Sequence, residues 1–116
     1  MRSLKFISRT LFAVALVPAL CHANINCTGA VTYLGTDANG VVWTMTGTAI
    51  SGICSTVTQG NFQTSPTACK TFYSTLLADQ LAGRTATVYY SDPALTQCSQ
   101  IVGWTTQPTA YFVQSN

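Results

Sequence analysis

The segment SPTACKTFYSTLLADQLAGRTATVYY, Ser65 to Tyr90, decides the fold. It reads as one helix followed by one strand. Ser65 is a good N-cap because its hydroxyl can accept from an otherwise unpaired first-turn N–H, and Pro66 follows where a missing N–H costs nothing. Cys69, Phe72, Tyr73, Leu76, Leu77 and Leu81 then recur at helical spacing and form one apolar stripe over roughly four turns. Lys70, Asp79 and Gln80 fall off that stripe or at its edge. Gly83 supplies the left-handed residue that ends a helix. After Arg84 the period drops to two, with Ala86, Val88 and Tyr90 facing one way and Thr85, Thr87 and Tyr89 the other. One amphipathic helix must bury its stripe, and strands before and after it are the available cover.

Upstream, Thr48 to Val57 reads as a strand carrying Ile50, Ile53 and Cys54, followed by a polar loop over residues 58–64. Before it, Ala30 to Thr36 and Val41 to Thr46 read as two strands joined by Asp37-Ala38-Asn39-Gly40. That is a hairpin signal, because Asn39 and Gly40 tolerate positive φ. Val31, Tyr33 and Gly35 are expected on one face of the first strand, and Val41, Trp43 and Met45 on one face of the second. Downstream, Asp92-Pro93 marks a turn. Cys98 to Thr105 opens a fifth strand, Pro108 interrupts it, and Ala110 to Val113 resumes it. The predicted class is mainly β with one helix. Three strands, a helix and two more strands match an OB-fold-like five-stranded barrel with its helix between strands 3 and 4. The alternative is an open antiparallel sheet with one packed helix.

Residues 1–23 read as a secretory signal. Arg2, Lys5 and Arg9 precede the apolar run Leu11 to Leu20, and Cys21-His22-Ala23 places small residues for cleavage after Ala23. The apolar run is short for a membrane span. A lipid-anchor reading of Cys21 is disfavoured by the bulky Leu20 before it. Residues 24–116 then form a single disulfide-stabilised domain, secreted or periplasmic. Its charge is two basic side chains, Lys70 and Arg84, against Asp37, Asp79 and Asp92. With no basic patch, binding to nucleic acid or an anionic membrane has no electrostatic basis. So little charge leaves little repulsion between copies, so a homo-oligomer is compatible with the composition. Cys27, Cys54, Cys69 and Cys98 read as two disulfides, with three connectivities open.

After residue 23 there is no His and no Glu. That removes the common general base, the Ser-His-Asp and Cys-His nucleophile systems and the usual zinc sites. Asp37 falls in a turn, Asp79 on a helix and Asp92 before a proline. No catalytic residue, metal or cofactor is assigned. What remains is a supply of aromatics among hydroxyls, which suits a sugar: an aromatic face for its C–H groups and neutral polar groups for its hydroxyls. Tyr89, on the Thr-rich face of its strand, is the best placed candidate, and Trp43 and Trp104 are the further candidates. Each aromatic also has an ordinary reading as a packing residue.

The order of short motifs resembles small secreted bacterial proteins similar to the subtilase cytotoxin B subunit. The motifs are Gly29-Ala30-Val31, Asn39-Gly40, Ile53-Cys54, Ser65-Pro66-Thr67-Ala68-Cys69-Lys70, Leu76-Leu77, Gly83-Arg84, Val88-Tyr89-Tyr90 and Cys98-Ser99 with Trp104. The resemblance implies an OB-fold, a cell-surface glycan as ligand, a homopentamer and a separate catalytic A subunit as in an AB5-type toxin. It also favours a Cys54–Cys98 bridge with Cys27–Cys69 as the second. The local alternative is Cys54–Cys69 with Cys27–Cys98. A competing expectation is a periplasmic or extracellular structural or protein-interaction domain with no toxin partner.

Overall fold

The computed structural model describes residues 24–116. The secretory-signal reading, cleavage after Ala23 included, lies outside the described residues. The elements are β1 (Ile25–Thr36), β2 (Val41–Thr46), β3 (Ser51–Ser55), α1 (Pro66–Ala82), β4 (Thr85–Tyr90), a 3-10 turn (Cys98–Gln100), β5 (Thr105–Thr106) and β6 (Ala110–Ser115). The strands form one sheet in the order β5-β3-β2-β1-β4-β6. Every ladder is antiparallel except β3 with β5.

The expected five-stranded barrel is not closed by these ladders. A six-stranded mixed sheet with one helix is nearer the open-sheet alternative. The reason lies in the expected fifth strand, which is broken. Only Thr105 and Thr106 pair with β3, and Pro108 then has no N–H to carry a ladder on. The Ala110 N–H closes a turn onto the Gln107 carbonyl at 3.2 Å, and β6 continues along β4. The two edges of the sheet are therefore successive pieces of chain, separated by residues 107–109.

β1 is the long member. Its first half, Ile25 to Ala30, pairs with β4, and its second half, Val31 to Thr36, pairs with β2. A bulge between Val31 and Tyr33 marks the handover. An extra residue inverts the alternation, so Val31 is buried while Tyr33 faces solvent. The expected common face for Val31 and Tyr33 is corrected accordingly. Close backbone approach at this bend requires glycine: a Cβ on Gly29 would lie 2.4 Å from the Gly47 nitrogen.

The helix forms as expected at its ends. Ser65 Oγ accepts from the Ala68 N–H at 3.2 Å, and Gly83 takes φ 67. Its stripe buries Cys69 and Leu76 against Val42, Ile53, Val88 and Tyr90. The last turn differs. Leu81 is 80% exposed, whereas Asp79 is fully buried. Asp79 Oδ1 accepts from Ser115 Oγ at 2.6 Å and from Arg84 Nε at 3.3 Å. A polar tie between α1 and the end of β6 thus takes the place that apolar spacing assigned to Leu81.

Two disulfides form, Cys27–Cys98 and Cys54–Cys69. The pairing favoured by resemblance, Cys54–Cys98 with Cys27–Cys69, is corrected. Cys54 on β3 faces Cys69 near the start of α1 with Cα atoms 5.6 Å apart, and Cys27 on the inner face of β1 meets Cys98 at 5.8 Å. Two bridges fit an oxidising compartment. Among the described residues no helix is long and apolar enough to cross a membrane.

Candidate functional site

Residues opposite one another in a ladder share a face of the sheet. Tyr33 opposes Met45 and Gly35 opposes Trp43, so Tyr33 and Trp43 stand together on the outer face, away from α1. On the other side Trp43 opposes Gly52 of β3. The indole is thus flanked by two glycines, with the Tyr33 ring over Gly35 and Val41, Thr106 and the indole itself over Gly52. A Cβ on Gly52 would come within 3.3 Å of the Trp43 ring.

Trp104 completes the group. Its ring centroid lies 5.5 Å from Tyr33, edge to face at 80°, and 5.7 Å from Trp43, tilted at 47°. Such arrangements match the positive edge of one ring to the negative face of another. Trp104 remains 61% exposed and Tyr33 37% exposed. Its backbone is at φ 61, in the left-handed region that bulky side chains avoid. The Trp104 N–H donates to the Ile50 carbonyl at 2.8 Å, and Thr105 Oγ1 donates to the Val102 carbonyl at 2.6 Å. An unfavourable backbone state therefore presents a large aromatic to solvent.

Trp43 is oriented by its polar end. Its Nε1–H donates to Asp37 Oδ2 at 3.0 Å, while Asp37 Oδ1 accepts from the Asn39 and Val41 N–H groups at 2.8 and 3.0 Å. The Trp43 bond, with those from Val41 and Asn39, holds the Asp37 carboxyl below its ordinary pKa. Asp37 is thus more than a turn residue: it ties the hairpin tip to the aromatic group.

Of the three residues singled out in the sequence, the fold brings Trp43 and Trp104 together and leaves Tyr89 elsewhere. Tyr89 opposes Asn26 on β1 and Phe112 on β6. About 30 Å of strand separates Asn26 from Gly35, at about 3.3 Å per residue. Tyr89 joins a second group with Phe112 at 5.2 Å and Tyr111 at 6.3 Å, and its hydroxyl donates to Gln114 Oε1 at 2.7 Å. Tyr33 is the member that sequence reasoning missed. Strict alternation set it beside Val31, and only the bulge turns it outward.

The group presents aromatic rings to solvent, with the Asp37 carboxylate hydrogen-bonded to the Trp43 indole. Among the described residues no group of three or more His, Cys, Asp or Glu side chains could hold a metal ion. Asp79, the one fully buried carboxylate, is engaged between α1 and β6 on the far side of the sheet. No family model matches the chain, nor does any curated protein or solved structure.

Proposed function

We propose that the chain is a secreted, non-catalytic binding module whose ligand is a carbohydrate held on Trp104, Trp43 and Tyr33. The observation that carries this reading is Trp104: an exposed indole kept in a left-handed backbone state and braced by two rings. Strain of this kind persists where surrounding structure enforces it and concentrates at binding sites. A pyranose offers C–H faces that pack on such rings, and its hydroxyls need no charged partner. The broken last strand, pairing with β3 through β5 and with β4 through β6, supports reading the sheet as OB-fold-like. The motif order supports a role similar to an AB5-type toxin B subunit, with a homopentamer and a separate A subunit as the assembly to look for. The test is a glycan array probed with the oxidised protein, with Trp104→Ala and Trp43→Ala as controls. Binding lost in both variants supports the site. A folded protein with no hit on the array refutes it.

A second reading rests on the other aromatic group. β6 is an uncharged edge strand, and Phe112 on it is 49% exposed beside Tyr89 and Tyr111. An unprotected edge of this kind pairs with other chains, which suits an extracellular or periplasmic protein-interaction domain. Recovery of one stoichiometric partner by the wild type but not by Phe112→Lys supports that reading.

A further inference from the structure

A cleft of about 480 Å³ opens beside the β1–β2 hairpin tip, between Asn39 and Val41 on one side and Val57, Gln59, Asn61 and Phe62 on the other. Its walls are joined by hydrogen bonds. The Thr56 N–H and Oγ1 both donate to the Gly40 carbonyl, at 2.9 and 3.2 Å, and Ser55 Oγ donates to the Asn39 carbonyl at 3.3 Å. Ser55 Oγ in turn accepts from the Val57 and Thr58 N–H groups at 3.2 Å each. Gln59 Nε2 donates to the Phe62 and Gln63 carbonyls at 3.1 and 3.4 Å, which fixes the outer loop and leaves its Oε1 as an acceptor. Groups fixed in this way lose little further entropy when a ligand arrives.

The cleft borders the aromatic group through Val41. Val41, which lines it, and Trp43 are two residues apart on β2 and share the outer face, about 7 Å from one another. Both lean over Gly52: a Cβ there would meet Val41 Cγ1 at 2.9 Å and the Trp43 ring at 3.3 Å. One floor therefore runs from Trp104 across Trp43 and Val41 to the exposed amides of Asn39 and Asn61. No residue lining the cleft is charged. The ionised side chain hydrogen-bonded to this surface is the carboxylate of Asp37. Lys70 lies on α1, and Arg84 is bonded to Asp79 at the far end of the helix.

We infer that this surface is a single extended site for a neutral oligosaccharide, with one end stacked on Trp104 and Trp43 and a later sugar unit hydrogen-bonded to the Asn39, Gln59 and Asn61 amides. An acidic sugar is selected against, because it meets a carboxylate and no cation. The inference rests on the carbohydrate reading above and adds a second subsite and a charge preference to it.

The test is calorimetric titration of the oxidised protein with neutral oligosaccharides of glucose, galactose, mannose and N-acetylglucosamine, from single sugars upward, and with the same chains ending in sialic or uronic acid. The longer neutral chain is expected to bind at least about tenfold more tightly than the single sugar. The acid-capped chain is expected to bind more weakly. Asn39→Ala combined with Asn61→Ala, and separately Phe62→Ala, should remove the gain from length and leave the single-sugar affinity unchanged. Trp104→Ala should remove both. Affinity that does not rise with length, cleft variants that retain the full gain, or tighter binding of the acid-capped chain overturns the extended neutral site while the stacking site stands. If no sugar binds at all, the carbohydrate reading falls and this one with it.

Discussion

Trp104 gives the sharpest prediction because its backbone state and its side-chain role can be varied separately. Trp104→Ala removes two aromatic contacts and keeps a Cβ at φ 61. Each such contact is worth about 0.5–1.5 kcal/mol, and little burial is lost because the residue is 61% exposed. Trp104→Gly removes the same contacts but also relieves a left-handed strain of about 1–2 kcal/mol. Against this, glycine widens the unfolded ensemble, at a cost of about 0.4–1 kcal/mol. The net expectation is that glycine is more stable than alanine at this position by about 1 kcal/mol. In a domain of this size that is about 4–8 °C in melting temperature. Thermal and urea unfolding of the oxidised variants, side by side, measures it. Both variants should lose sugar binding equally. An alanine variant as stable as the glycine variant, or more so, refutes the claim that Trp104 is held under strain. A glycine variant that still binds refutes its role as the stacking surface.

Three other outcomes follow from the same structure. The hydrogen bonds to Asp37 lower its folded-state pKa, so the stabilisation they give is present above the ordinary carboxylate value of 3.8 and is lost as pH falls below it through the lowered value; Trp43 fluorescence should report a transition in that acid range that Asp37→Asn lacks. Gly29→Ala forces a Cβ to 2.4 Å from the Gly47 nitrogen and should cost at least about 2 kcal/mol by denaturant unfolding, since backbone must move to admit it. Peptide mapping under non-reducing conditions should recover Cys27–Cys98 and Cys54–Cys69; by loop-closure entropy, removing the first, with separation 71, should cost about 1.4 kcal/mol more than removing the second, with separation 15.

The sequence was most legible where the physics is local. Ser65 and Gly83 act as the caps their chemistry suggests, and alternation from Ala86 to Tyr90 gives the correct buried face. Reading failed where distant chain decides. Asp79 carries no apolar signal, yet it is buried because Ser115 and Arg84 reach it from segments that helical spacing cannot see. Tyr33 was lost to a bulge that exists because β1 changes partners in the middle of the strand. The disulfide pairing could not be fixed from spacing, since each partner is chosen by the approach of separate elements. For the candidate site, two of the three residues proposed from composition fall together, and Tyr89 does not, because it belongs to the β4–β6 end of the sheet.

The disulfide and the strained tryptophan are two parts of one arrangement. The segment from Cys98 to Thr106 is anchored at its start by the bridge to Cys27 on β1 and at its end by the parallel pairing of Thr105 and Thr106 with Ser51 and Gly52 on β3. Between them, the buried Ile101 and the bond from the Trp104 N–H to the Ile50 carbonyl leave the chain little freedom. A residue in an unfavourable backbone state stays there only when its surroundings over-determine it. With both ends fixed, the short path between them is closed by placing Trp104 in the left-handed region, and that turn stands its ring against Tyr33 and Trp43. A continuous fifth strand would run Trp104 along β3 in an extended state, without the turn that projects it over the sheet. The turn that limits the β3–β5 pairing to Thr105 and Thr106 is therefore the same feature that assembles the aromatic surface.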